Sequence, residues 1–269
     1  MTSEHPQNIP VVLCFSGLDP TGGAGIQADI ESITSMGAHP APIITALTVQ
    51  DTQQCMGYHP VDPLLLIQQA RAILEDMPVS VIKVGMLGSR EVIESIHGIM
   101  LDYPEIPMVL DPVISAGSGG NLSSEDSIMA MRELLFPHTT VLTPNSVEAR
   151  QLCPEADTIA ACAEELQEQG CEYVLVTGAH EVSKDVVNTL YGNHRELEQY
   201  SWTRLPHEYH GSGCTLASSL AGLLAQGLEP LTAIHEAQEF TWQTLEHAYR
   251  TGMGQLIPNR YFWARDNDD

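Results

Sequence analysis

The segment His210-Gly211-Ser212-Gly213-Cys214-Thr215 stands directly before an apolar run at 216–224. Two glycines let a backbone turn its N–H groups to one side, and a helix start adds positive partial charge there. Such a start can cradle an oxyanion or a phosphate. Cys214 falls in the first turn, where a helix N-terminus is expected to lower a thiol pKa below its usual value of about 8.5. Alone, the segment also reads as a plain glycine-rich helix start with a buried cysteine.

Other chemistry-bearing residues are spaced along the chain. Asn145 and Glu148 lie three apart where a helix opens. That spacing can hold a hydrated Mg²⁺ near phosphates, or it can form a capping box. The two are compatible, and taken alone the spacing favours the cap. Asp111 follows an apolar strand and precedes Pro112, which places a carboxylate at a strand's C-terminal end, facing a metal ion or a substrate. The glycine-rich loop at 115–120 reads as a surface loop able to close over a ligand. The run Asp19-Pro20-Thr21-Gly22-Gly23-Ala24-Gly25-Ile26-Gln27-Ala28-Asp29 permits a tight turn and close backbone approach, with Asp29 offering a polar contact one turn later.

These residues need elements to hold them. Strands are expected at 11–15, 42–49, 79–86, 107–110, 140–142 and 173–176, with helices at 24–35, 63–74, 91–101, 126–135 and 158–169. Such alternation implies an α/β fold: a mainly parallel sheet covered by helices on both faces. Beyond residue 185 a small hairpin is expected, 186–191 and 196–205 flanking a Gly192-Asn193 turn, then helices at 215–226 and 231–249. No linker or repeat interrupts this, so a single domain is expected. In open α/β sheets ligands bind at the C-terminal strand ends, and there the chain concentrates its glycine-rich and polar loops.

Composition narrows the classes. Across 269 residues the formal charge is −24, and Lys83 and Lys184 are the only lysines. Such a surface repels nucleic acid and anionic membranes. A phosphate site here must draw on backbone N–H groups, a helix terminus and a divalent cation. The charge reads as a solubility adaptation, with stability expected to rise when salt is added. The six cysteines form no Cys-x-x-Cys pair, so a zinc ribbon is not indicated. No apolar stretch is long enough to span a bilayer, and the polar opening lacks the pattern of a secretion signal, so a cytoplasmic location is expected. There is no Gly-Lys dipeptide for a Walker A loop, no Gly-x-Ser-x-Gly elbow, and no complete dinucleotide fingerprint after the first strand.

Taken in order, six segments resemble the hydroxymethylpyrimidine/phosphomethylpyrimidine kinases, a branch of the ribokinase-like superfamily. They are the 19–29 run, Thr45-Ala46-Leu47-Thr48-Val49-Gln50-Asp51-Thr52, Lys83-Val84-Gly85-Met86-Leu87-Gly88, Asp111-Pro112-Val113, Thr143-Pro144-Asn145-x-x-Glu148 and the 210–215 segment. The resemblance runs over about 11–248. It implies a ribokinase-like fold and transfer of the γ-phosphoryl of MgATP to 4-amino-5-hydroxymethyl-2-methylpyrimidine, then to its monophosphate, in thiamine biosynthesis. By it, Gly211, Ser212, Gly213 and Cys214 form the anion hole, with Cys214 either accepting the hydroxyl proton or positioning substrate. Gln50, Asp29, Gly17, Met86 and Val113 would contact the pyrimidine. Asn145, Thr177 and Gly178 would serve the nucleotide, and Asp111 and Glu148 the Mg²⁺. The family often has Val-Lys-Gly-Gly-His where this chain reads Val176-Thr177-Gly178-Ala179-His180, so Thr177 replaces a phosphate-contacting lysine. A homo-oligomer, a dimer, is the family pattern. Pyridoxal kinase is the nearest alternative, although the loop after Val113 lacks the second cysteine some of those enzymes carry. A pyrimidine-binding regulator without turnover is the alternative outside enzymes.

Overall fold

The computed structural model describes residues 9–116 and 120–264. The chain begins with strand β1 (Val11–Leu18), helix α1 (Gly25–Ser35), β2 (His39–Gln50) and β3 (Cys55–Pro60). It continues through α2 (Pro63–Asp76), β4 (Val79–Val84), α3 (Arg90–Asp102), β5 (Met108–Leu110) and the two-residue strands β6 (Ser115–Ala116) and β7 (Gly120–Asn121). Then come α4 (Glu125–Leu134), β8 (Val141–Leu142), α5 (Ser146–Leu152), α6 (Ile159–Glu168) and β9 (Tyr173–Val176). The chain closes with β10 (Asp185–Gly192), β11 (Arg195–Thr203), α7 (Ser212–Ala225) and α8 (Pro230–Glu246).

Nine strands form one sheet in the order β11-β10-β9-β8-β5-β4-β1-β2-β3. The six strands from β9 to β2 run parallel, while β3, β10 and β11 pair antiparallel. The sequence explains the centre. Val11, Leu13 and Phe15 pack into one core with α2 to α6, whereas Val12 and Cys14 face the other with α1, α7 and α8. A parallel strand buried on both faces is apolar throughout, because successive side chains point to opposite sides. Burying one such Val, Leu or Phe contributes roughly 1.5–3 kcal/mol.

The helix starts differ in how they are capped. Asp62, Ser89, Ser124, Asn145 and Thr158 each accept backbone N–H groups at the starts of α2 to α6. By contrast α1, α7 and α8 begin at Ala24, Gly211 and Glu229 with no side-chain cap, and α8 has Pro230 in its first turn. The first N–H groups of α1 and α7 are left for something else.

Some expectations are corrected in detail. The hairpin turn is Asn193-His194, both at positive φ, with Gly192 paired to Arg195 inside the ladder. Two residues at φ > 0 are what a tight two-residue hairpin turn demands. Strand β3 was not anticipated, because Gly57 and Pro60 break the strand pattern; both are tolerated on a sheet edge. The expected loop at 115–120 is in part a strand pair, β6 with β7, and residues 117–119 lie outside the described residues.

Candidate active site

The order of the sheet places the switch point between β1 and β4: the chain leaves β1 toward β2 on one side and returns as β4 on the other. Loops after these strands splay apart there and leave a crevice. A cavity of about 170 Å³ lies over it. Ala24 and Gly25 border it from the start of α1, and Gly211, Ser212, Gly213 and Cys214 from the start of α7. Of the three helices α1, α7 and α8, which start without a side-chain cap, α1 and α7 thus open on one space.

Glycine is required where these loops meet. Gly211 has φ +77°, and a Cβ there would stand 2.0 Å from the Gly23 carbonyl oxygen. A Cβ on Gly23 would in turn meet the His210 ring at 2.3 Å. Between the loops, His210 Nε2 lies 2.8 Å from Asp19 Oδ2, an oxygen that also accepts the Ala24 N–H. Against the effect of burial, hydrogen bonds from His210 and Thr21 hold the Asp19 carboxyl below its ordinary range.

Most of the anticipated residues line the cavity. Gln50 reaches it from the end of β2, with Gly17, Met86 and Val113 completing an apolar wall. A Cβ on Gly17 would come within 2.8 Å of Met86 Sδ, so this glycine lets the thioether close on the cavity. Asp111, Asn145, Glu148 and Thr177 also line the cavity.

Two anticipated residues are elsewhere. Asp29 is fully buried and pairs with the equally buried Lys83 at 2.8 Å, so the expected substrate contact becomes an ion pair beneath the site. Ser16 Oγ accepts from Lys83 Nζ and Ser218 Oγ donates to Asp29 Oδ1, while the buried Asp29 Oδ2 has no hydrogen-bond partner among the described residues. Gly178 is buried too; its N–H donates to Asn188 Oδ1, and a Cβ would overlap the Val187 carbonyl oxygen. It shapes the loop and is not among the residues lining the cavity.

The thiol differs from expectation as well. Burial pushes Cys214 up to about 12, and the Asp111 and Asp29 carboxylates add to it against the Lys83 ammonium and the Gly25 N–H. In the unliganded protein it is therefore a thiol. Lys83 stays charged: burial opposes this, but the paired Asp29 and the nearby Asp111 outweigh it and raise its pKa.

Asn145 and Glu148 form a complete capping box on α5. Both Glu148 oxygens are engaged, one by the Asn145 N–H at 2.9 Å and one by the Ile114 N–H at 3.3 Å. Burial, then the nearby Asp111, raise the Glu148 carboxyl, and burial raises Asp111 against the pull of Lys83. Two neighbouring carboxylates with surplus negative charge suit Mg²⁺, which commonly takes one or two carboxylates and completes its shell with water and phosphate. Among the described residues no group of three or more His, Cys, Asp or Glu side chains gathers to hold a metal outright.

A second cavity, about 500 Å³, shares Thr177, His180, Tyr209, Ser212 and Gly213 with the first. Trp202, Trp242 and Gln238 also line this second cavity, and Gln238 Oε1 accepts from both Asn188 Nδ2 and Trp202 Nε1. The two chambers meet at the first turn of α7. Lys83 and the Asp19–His210 pair stand in segments the sequence had marked, but their roles were not anticipated. Lys83 carried one signal, a lysine inside a strand otherwise read as buried.

Comparison with known proteins identifies the family and the fold. The profile of the phosphomethylpyrimidine kinase family matches residues 19–259. The hydroxymethylpyrimidine/phosphomethylpyrimidine kinase of Haemophilus influenzae is 35% identical, the match covering 96% of this chain and 99% of that protein. The thiamine biosynthesis bifunctional protein of Geobacter sulfurreducens is also 35% identical, and the chain spans 54% of its length. Bacillus subtilis pyridoxal kinase, solved as an ADP complex, superposes with a TM-score of 0.87 at 26% identity, covering 95% of this chain and 99% of that one. The expected ribokinase-like architecture is thus the one this chain adopts. With sequence and fold both matched over nearly its whole length, the chain belongs to the phosphomethylpyrimidine kinase family.

Proposed function

We propose that this protein transfers the γ-phosphoryl group of ATP to the hydroxymethyl oxygen of 4-amino-5-hydroxymethyl-2-methylpyrimidine, and then to the resulting monophosphate, for thiamine biosynthesis. One observation carries the reading: two chambers meet at an uncapped, glycine-rich helix start in a chain of this family. The smaller chamber suits a flat heteroaromatic ring, with the Gln50 amide to donate and accept at its polar edge and Met86 and Val113 to pack on its face. The larger would take the nucleotide, and a pyridoxal kinase neighbour solved as an ADP complex is in keeping with nucleotide use.

Phosphoryl transfer depends mainly on positioning and charge stabilisation. The N–H groups at the start of α7 face the junction where the transferring group would pass. One such preorganised donor is worth about 10²–10³ in rate in other enzymes. Mg²⁺, when bound beside Asp111 and Glu148, supplies neutralisation of phosphate charge. The Cys214 thiol, held protonated by burial, is suited to hydrogen-bond the substrate hydroxyl. Asp111, its oxygens near Gly213, is placed to hold the Mg²⁺ at the junction where the phosphoryl group would pass. Thr177 leaves the nucleotide chamber without the lysine of many relatives, and His180 is the basic side chain bordering both chambers.

The test is ATP-to-ADP turnover with Mg²⁺ on the pyrimidine, its monophosphate and pyridoxal, with Cys214→Ala and Asp111→Asn as controls. Turnover on the pyrimidine, falling about 10²-fold or more in Asp111→Asn through loss of a metal ligand, is expected. A preference for pyridoxal would move the substrate, and the superposition on a pyridoxal kinase makes that the second reading. Binding without turnover would sink the enzyme reading in favour of a regulator.

A further inference from the structure

We propose that Arg260, on the C-terminal segment, is the positioning residue that fixes the two glycine loops of the phosphoryl site against each other. Arg260 is 1% exposed and lies outside the cavity wall. Its guanidinium spreads over both loops. Nη2 donates to the Gly23 carbonyl oxygen at 2.6 Å, and Nε donates to Thr215 Oγ1 at 2.9 Å. Thr215 Oγ1 donates onward to the Gly211 carbonyl oxygen at 2.8 Å.

These bonds close a ring. The peptide between Gly23 and Ala24 is held at both ends, its carbonyl by Arg260 and its N–H by Asp19 Oδ2 at 2.8 Å. Asp19 Oδ2 meets His210 Nε2 at 2.8 Å, His210 precedes Gly211, and Gly211 returns through Thr215 to Arg260. The ring encircles the place where the loops touch backbone to backbone, with no room for a side chain on Gly211 or Gly23. Nη1 meets Glu31 at 3.1 Å, the partner that balances the buried charge. An ion pair alone would leave the rest of the guanidinium free of the loops; here two of its three nitrogens serve them. A planar fork fits this task, and a lysine offers no equivalent.

The consequence rests on the phosphotransferase reading above. None of the Arg260 hydrogen bonds goes to Gln50, Met86 or Val113, so the side chains that would grip the ring are not directly held by this brace, while the donors at the start of α7 are. A displacement of about 1 Å at such donors costs roughly 10²-fold in rate.

Steady-state kinetics of Arg260→Ala and Arg260→Lys beside the unmutated protein test this, with and without added guanidinium ion. The expected result is a kcat lower by about 10²-fold, KM for the pyrimidine within about twofold, and partial recovery of Arg260→Ala by guanidinium. Unchanged kcat would overturn the proposal, as would KM rising together with falling kcat and no rescue. If Arg260→Ala does not fold, Thr215→Val cuts the same ring with a near-isosteric side chain. It should lower kcat at unchanged KM, and full kcat in that variant overturns the proposal. An unmutated protein without turnover on any substrate would instead overturn the phosphotransferase reading itself, and this inference with it.

Discussion

At the scale of single residues, Cys214 shows how competing small effects are decided. A helix N-terminus stabilises a nearby negative charge by about 0.3–1 kcal/mol, less than the roughly 1.4 kcal/mol of one pKa unit. Burial and two carboxylates act the other way, and they win. Free protein should therefore alkylate slowly at Cys214. Peptide-resolved iodoacetamide labelling should show a rate at pH 8 well below that of an exposed thiol, still climbing at pH 10. A rate that levels off by pH 8 would mean a thiolate and restore the base role. Lys83 carries the same lesson. In a chain with two lysines, one is spent inside, paired with Asp29 and acting on Cys214 and Asp111.

At the scale of elements, the two uncapped helix starts that border the cavity, those of α1 and α7, carry the function. Helices α2 to α6 satisfy their own N-termini with Asp, Ser, Asn or Thr, and five such caps are each worth about 1 kcal/mol. Helices α1 and α7 forgo this and present N–H groups to a shared cavity. Gly211 is the position where that arrangement is most exposed to change. Gly211→Ala puts a methyl 2.0 Å from the Gly23 carbonyl oxygen at φ +77°. The left-handed conformation alone costs about 1–2 kcal/mol for a residue with a Cβ, and the overlap forces the two loops apart. Turnover should drop by at least about 10²-fold while circular dichroism stays that of the folded protein. Activity within a few fold of the unmutated protein would show that the loop contact is dispensable.

At the scale of the whole molecule, a net charge of −24 is stored on a protein that must also hold carboxylates together inside. Glu148 is the sharpest case, raised by burial and by Asp111 to about 8. The sign follows from linkage: where the native state keeps a proton that the unfolded chain has released, stability falls as pH rises. For Glu148 that window opens above the ordinary glutamate value of about 4.3 and closes near 8. Asp111 acts in the same direction through the lower part of it. Asp19, held low, contributes stability that is lost only as pH falls below the ordinary carboxylate range. In about 1 M salt, where screening acts within roughly 3 Å, urea midpoints of the metal-free protein should decline from pH 5 to pH 8. Glu148→Gln should flatten that slope. An equal slope in both proteins would remove Glu148 as its source.

The sequence by itself determined the alternation of elements and the loops that matter. Apolar runs such as the one at 11–15 fix buried parallel strands, and in such a sheet the loops at the strand ends are where a site must lie. The residues gathered around Gln50, Asp111 and Cys214 were legible for that reason, because each stands at a strand or helix terminus whose direction the pattern already gives. Tertiary structure alone decided what those residues feel. Asp29 turns inward because Lys83, on a different element, neutralises it there. The Cys214 thiol is set by burial among groups drawn from several segments. Arg260 stands 45 residues from its partner Thr215 and 237 from Gly23, so no local pattern marks it. Periodicity and capping are short-range properties of the chain; burial, ion pairing and loop-to-loop contact depend on neighbours that only folding brings together.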